Sequence, residues 1–135
     1  LINFFDNKVK SRLDIERNTT IPFIGDVPKA DNPNEIIQLN SRTNTAEAIR
    51  IIRTNLEFLL KDVQDGLAKT IFVTSTFPKE GKTFVSVNLA STIALSDKKV
   101  LLVGLDIRNP KIDTYLQVPA VGLTNYLSSN KYQVK

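Results

Sequence analysis

Thr70-Ile71-Phe72-Val73-Thr74-Ser75-Thr76-Phe77-Pro78-Lys79-Glu80-Gly81-Lys82-Thr83 is the stretch on which the reading of this chain turns. It opens on β-branched and aromatic residues, passes through turn formers from Ser75 to Pro78, and closes on Gly-Lys-Thr at the start of an amphipathic run. That order predicts strand, loop, helix. Backbone N–H groups of such a loop and of the first helical turn converge on one point, where the helix dipole favours negative charge. Gly81 permits close backbone approach, Lys82 has the reach to touch β- and γ-phosphates, and the Thr83 hydroxyl is suited to a Mg²⁺ ion. The strict pattern G-x-x-x-x-G-K-[ST] is not met, because Thr76 occupies the first glycine position. Taken alone, the stretch is either a phosphate site or an ordinary strand-to-helix turn.

Its surroundings favour the phosphate site. Val85, Leu89, Ile93 and Ala94 predict the buried stripe of a helix from Lys82 to about Ser96. Asp97-Lys98-Lys99 turns the chain, and Val100-Leu101-Leu102-Val103 is the apolar run of a central parallel strand. The fold class expected is therefore α/β, a P-loop-type parallel sheet with flanking helices and a right-handed crossover. Ligand crevices of open α/β sheets lie at the carboxyl ends of the strands, so Asp106 and Arg108 are expected to face the same region as Lys82 and Thr83. A carboxylate there either assists a metal ion or accepts a proton from an incoming hydroxyl. The alternative for Asp106 is a turn-initiating residue of a surface loop.

Upstream, Asn44 with Glu47 three residues later has the form of a capping box, and Ile49, Ile52, Leu56, Leu59, Leu60 and Val63 recur at helical spacing up to Asp65-Gly66. Glu47, Arg50, Arg53 and Glu57 form a charged stripe on another face of that helix. Such a stripe is either the solvated side or a surface that meets carboxylates on a second copy of the chain. Ala30 to Thr43 is polar with Pro33 and several Asn, and reads as a linker or surface loop; the compact domain is expected to begin near Ser41. Ile21 to Gly25 is strand-like, but Pro22 and Pro28 restrict it to an edge or an extended connector. Leu1 to Phe5 is apolar and abuts Lys8, Lys10 and Arg12, the pattern of either a juxtamembrane segment with positive-inside charges or an amphipathic helix start. Downstream, a short helical piece is expected at Lys111 to Leu116 and a helix at Thr124 to Ser128; Tyr115, Tyr126 and Tyr132 are scattered.

The 135 residues suit one core. With no Cys and no His, disulfides, the usual zinc sites, thiol nucleophiles and histidine acid/base chemistry are excluded. The net charge of +4 suits an anionic ligand or a membrane surface, yet the basic residues are dispersed without a basic-aromatic stripe, which argues against nucleic acid. No run approaches the roughly 20 apolar residues of a membrane span, and no signal peptide with a cleavage site is present.

Three blocks in order carry a family resemblance: Glu47-x-x-Arg50-x-x-Arg53-Thr54-Asn55; Thr74-Ser75-x-x-Pro78-x-Glu80-Gly81-Lys82-Thr83 with Asn88-Leu89-Ala90; and Val100-Leu101-Leu102-Val103-x-x-Asp106-x-Arg108-x-Pro110. Over roughly Ser41 to Leu127 the chain resembles the bacterial tyrosine kinases of capsule and exopolysaccharide export. The resemblance implies an ATP- and Mg²⁺-dependent protein-tyrosine autokinase on the cytoplasmic face of the inner membrane. Residues 1–40 would be the juxtamembrane segment and linker from a membrane-embedded chain-length regulator, and residues 41–135 the N-terminal part of the kinase domain. It further implies that Thr76, Phe77, Pro78, Lys79, Glu80, Gly81, Lys82, Thr83, Phe84 and Arg108 bind the nucleotide, that Thr83 and Asp106 hold the metal, and that Lys82 and Asp106 are catalytic. Glu47, Arg50 and Arg53 would build a homo-oligomeric ring that presents the tyrosine-rich tail of one subunit to its neighbour.

Three departures bear on activity. Lys79 replaces a glycine common in the family, Gly104 replaces the first aspartate of Asp-x-Asp, and the chain as given is expected to stop before the Walker B strand and tyrosine cluster. An inactive or weakly active fragment follows. The alternatives are a non-catalytic oligomerisation module of the export machinery and a partition-type P-loop ATPase. The second is disfavoured because Phe77 stands where its signature lysine belongs.

Overall fold

A computed structural model describes residues 8–64 and 66–129. The readings that involve Leu1 to Phe5, Asp65 and Tyr132 lie outside the described residues. Among the described residues there are four α-helices and one 3-10 turn: α1 (Arg12–Asn18), α2 (Asn44–Leu59), α3 (Lys82–Ala94), the 3-10 turn Ile112–Thr114, and α4 (Leu123–Ser128). The chain divides into two compact units, residues 1–29 with 42–70 and residues 30–41 with 71–135.

The first unit is built on α2. Its cap is Thr43, whose hydroxyl oxygen accepts from the Ala46 N–H at 3.1 Å, so the helix starts one residue from the reading that placed Asn44 at the cap. Both residue types serve there, and the sequence offers them side by side. Ile49 and Ile52 are buried as the period requires, with Thr45 and Ala46, while Leu59 is exposed because the helix ends at that residue, short of Val63. Against this face lies the connector that holds Ile24 and Gly25. The Asn55 amide donates to the Ile24 carbonyl at 2.8 Å, and a Cβ on Gly25 would stand 2.7 Å from Ile52 Cγ1. Glycine at 25 is thus a packing requirement, reinforced by its φ of 146°.

The short helix α1 is fixed by a polar cap. The Asp14 carboxylate accepts from the backbone N–H of Lys10 and of Ser11, both at 2.9 Å, and from the Ser11 hydroxyl at 3.0 Å. The Arg12 guanidinium lies 5.2 Å from the centre of the Phe23 ring. The Lys10 N–H, the Ser11 hydroxyl and the Ser11 N–H together hold the Asp14 carboxyl below the ordinary aspartate value. A depressed carboxyl stabilises the cap above its unfolded value and loses that contribution as pH falls through its folded one. A carboxyl-detected NMR titration should place the Asp14 midpoint below that of a free aspartate; an ordinary midpoint would contradict the cap.

The second unit is built on α3, which ends at Ala94 close to the expected end. Its buried residues are Val87, Asn88, Leu89 and Thr92. The expected stripe of Val85, Leu89, Ile93 and Ala94 is corrected: Leu89 is buried, Val85 and Ile93 are half-buried, and Ala94 is exposed. The reason is a polar contact that periodicity does not reveal. Residues 35–37 lie on α3, where fully buried Asn88 accepts from the Ile37 N–H at 2.8 Å and donates to the Glu35 carbonyl at 2.9 Å.

The parallel sheet is not present among the described residues: the runs 71–73 and 100–103 are assigned no strand. Phe72 and Leu101 are 81% and 87% exposed. Strand geometry is cooperative, since each strand needs a neighbouring ladder to satisfy its N–H and C=O groups. These two runs form no ladder here, so their apolar side chains stay open. The helical expectations near the carboxyl end are met by the 3-10 turn and by α4.

Candidate functional site

The loop that precedes α3 is closed by its own side chains. The Phe77 N–H donates to Glu80 Oε2 at 3.0 Å, and the Ser75 hydroxyl donates to the Phe77 carbonyl at 2.9 Å. Gly81 caps the helix with φ 92°, a left-handed conformation in which glycine carries no Cβ penalty. Lys79 is also left-handed, at φ 67°. Only glycine adopts that geometry freely, so a lysine there stores about 1–2 kcal/mol of backbone strain.

Directly after Gly81, Lys82 and Thr83 form the first turn of α3, both half-buried. Lys82 Nζ stands 3.9 Å from Asp106 Oδ2, with both side chains partly exposed. Asp106 is therefore brought to the head of α3, although no sheet connects the two segments among the described residues. Its other oxygen accepts from the Asn109 N–H at 3.2 Å, which fixes the carboxylate in a turn. The turn-initiating alternative for Asp106 is thus what its hydrogen bond shows, with its second carboxylate oxygen facing Lys82. Phe84, next in α3, meets the ring of Tyr115 edge-on, with centroids 6.5 Å apart. Thr76, Phe77, Pro78 and Arg108 are exposed loop residues near these anchors in sequence.

Gly104 has a structural partner. A Cβ there would lie 2.8 Å from Ile112 Cδ1, so the isoleucine side chain fills the space that a larger residue at 104 would need. Among the described residues no group of three or more carboxylates is placed to hold a metal ion.

In the other unit, Arg50 Nη1 pairs with Glu47 Oε1 at 2.6 Å and Arg53 Nε lies 3.9 Å from Glu57 Oε1. All four residues belong to α2 and the acidic partners reach water, the arginines less so. Among the described residues no helix is long and apolar enough to cross a membrane.

Asn88, Ser91 and Ile37 are the residues that sequence reasoning missed. Asn88 belonged to one of the three blocks, but nothing local in the sequence marks it as the partner of a segment 51 residues away.

No family model and no solved structure matches the chain. Among curated proteins it is similar to the tyrosine-protein kinase YwqD of Bacillus subtilis (strain 168), 39% identical over 95 residues, which cover 70% of this chain and 39% of that protein. It is 32% identical over 127 residues to the tyrosine-protein kinase etk of Escherichia coli (strain K12), covering 93% of this chain and 15% of the relative. The tyrosine-protein kinase ptk of Acinetobacter johnsonii is 28% identical over 145 residues, covering 97% and 19%. The chain thus spans well under half the length of the relatives it matches. The blocks around Arg50, Lys82 and Asp106 that suggested the family fall in a chain which, by sequence, is a bacterial-tyrosine-kinase-like protein.

Proposed function

We propose that this chain is the nucleotide-loop part of a protein-tyrosine autokinase that uses ATP and Mg²⁺. The observation that carries the reading is the head of α3, where a left-handed Gly81 opens the helix and Lys82 and Asp106 stand 3.9 Å apart. A helix N-terminus with a lysine in its first turn is suited to a polyphosphate, and Lys82 would exchange the Asp106 carboxylate for the β- and γ-phosphates. Thr83 and Asp106 are the residues that would hold Mg²⁺, which would supply neutralisation of the phosphate charge.

The tyrosine oxygen forms a bond to the γ-phosphorus as the bond to the β-phosphate oxygen breaks, and ADP leaves. Asp106 would take the hydroxyl proton. Loop residues Thr76 to Gly81, with Phe84 and Arg108, orient the nucleotide. Phosphoryl transfer asks a protein mainly for positioning and charge neutralisation, so the remaining groups belong to the longer protein. In that protein the apolar runs 71–73 and 100–103 become strands of a parallel sheet flanked by helices. Residues 1–40 connect a membrane-embedded regulator of polysaccharide chain length to residues 41–135, at the cytoplasmic face of the inner membrane.

Glu47, Arg50 and Arg53 form a contact between subunits of a ring that hands one subunit's tyrosine-rich tail to the next. The Arg50 and Arg53 side chains are each only 26% exposed, so truncation removes the packing of their stems as well as the pairing. Arg50→Ala with Arg53→Ala should therefore lower the CD melting temperature of the chain modestly without abolishing its helical signal. In the longer protein the same pair should shift sedimentation from oligomer to monomer, and an unchanged oligomer would refute the contact.

The direct test is phosphotyrosine in the longer protein. Incubation with Mg·ATP should produce it, and Lys82→Ala should abolish it; transfer that survives the substitution would refute the site. A second reading, a non-catalytic assembly module, is favoured by the strained Lys79 and by Ile112 occupying the space beside Gly104. It predicts assembly without phosphotyrosine in either protein.

A further inference from the structure

Within the second unit, residues 33–37 are held by hydrogen bonds to their main-chain atoms as well as by the fully buried Ile37 side chain. Asn88 Oδ1 accepts from the Ile37 N–H and Asn88 Nδ2 donates to the Glu35 carbonyl, at 2.8 and 2.9 Å. The Ser91 hydroxyl donates to the Ile37 carbonyl at 2.8 Å, and the Tyr115 hydroxyl donates to the Pro33 carbonyl at 2.9 Å. An amide side chain that both accepts from and donates to a peptide mimics a neighbouring strand, which fixes register as well as position. Ile37 and Asn88 are fully buried and the bond between them is shielded from water, the Asn88–Glu35 and Ser91–Ile37 bonds are partly so, and the Tyr115–Pro33 bond is open to it.

Two of these anchors also touch the first turn of α3. Asn88 Nδ2 donates in addition to the Phe84 carbonyl at 3.1 Å, and the Tyr115 ring packs edge-on against Phe84. Phe84 directly follows Lys82 and Thr83. We infer that residues 33–37 are a strap that positions the phosphate-facing turn of α3, with Asn88, Ser91 and Tyr115 as its positioning residues. The strap needs no bound nucleotide, since every contact is within the second unit.

The test is amide exchange by NMR on the full chain with Ser91→Ala and Tyr115→Phe combined, a variant that retains the Asn88 contacts and the Tyr115 ring. Ile37 reports docking. Val85, whose N–H donates to the Gly81 carbonyl at 3.0 Å, reports the first turn, and Leu95, bonded to the Ser91 carbonyl at 2.9 Å, reports the far end of the helix. Loss of one neutral hydrogen bond raises local opening roughly two- to tenfold. Ile37 and Val85 should both exchange faster by about that factor or more, with Leu95 changed by less than about twofold. Acceleration of Ile37 alone would overturn the strap as a positioning device, and equal acceleration at Leu95 would reduce it to general stability. Asn88→Asp keeps the acceptor for Ile37 but turns a carboxylate oxygen toward two carbonyls, and should give the same pattern more strongly. Should it fail to fold, the double variant decides. If the wild-type chain binds no Mg·ADP, the phosphate-site reading fails while the exchange ratio still decides the strap.

Discussion

Lys82→Ala should weaken Mg·ADP binding to this chain by roughly ten- to a hundredfold in a calorimetric titration, because a charge-assisted hydrogen bond is worth about 1.5–3 kcal/mol. Two effects compete in that estimate. Lys82 lies 3.9 Å from Asp106, so in the free protein the amine already faces one carboxylate, and binding must exchange one anionic partner for another. Both side chains are partly exposed, which keeps the existing pair weak, and the phosphates carry more charge than one carboxylate. The exchange therefore favours the nucleotide. An equal affinity in the two proteins would place the nucleotide elsewhere.

The second large effect concerns the other unit. Ile49→Ala should destabilise it by about 2–5 kcal/mol, read as a lowered urea midpoint in CD at 222 nm. Ile49 is fully buried on α2, whereas Ile51, on the same helix, is 57% exposed and serves as the control. Deleting three buried carbons costs both the transfer free energy and the cavity left behind. With so few buried apolar residues in this unit, little else can collapse into the gap. Ile51→Ala should change the unfolding free energy from the same urea curves by no more than about 0.5 kcal/mol; similar losses at both positions would mean that the helix buries a different face.

The two long helices were legible because each carries a local pattern. α2 shows apolar residues at three- and four-residue spacing with a polar cap ahead of them, and α3 begins on Gly81, where a left-handed residue ends the loop. Lys82 and Asp106 were placed together by a rule about strand ends, and the structure places their charged atoms 3.9 Å apart without those strands. The strap was not legible. Ile37 sits in a polar stretch without a period, and its partners Asn88 and Ser91 are 51 and 54 residues away. A polar residue on a helix is ordinarily assigned to solvent, whereas Asn88 is buried because it replaces a strand for residues 35–37. The apolar runs around Phe72 and Leu101 read as buried strands, but a strand is defined by its neighbours, and the composition of one run does not supply them.

The central claim is that the loop and first turn at Thr76 to Phe84 receive phosphates, and an amide-resolved NMR titration with Mg·ADP tests it most directly. The expected result is saturable shifts at Gly81, Lys82, Thr83 and Phe84, with a change at Phe77 as its N–H leaves the Glu80 carboxylate. Shifts confined to other parts of the chain, or none at nucleotide concentrations that saturate an ordinary phosphate loop, would contradict the account.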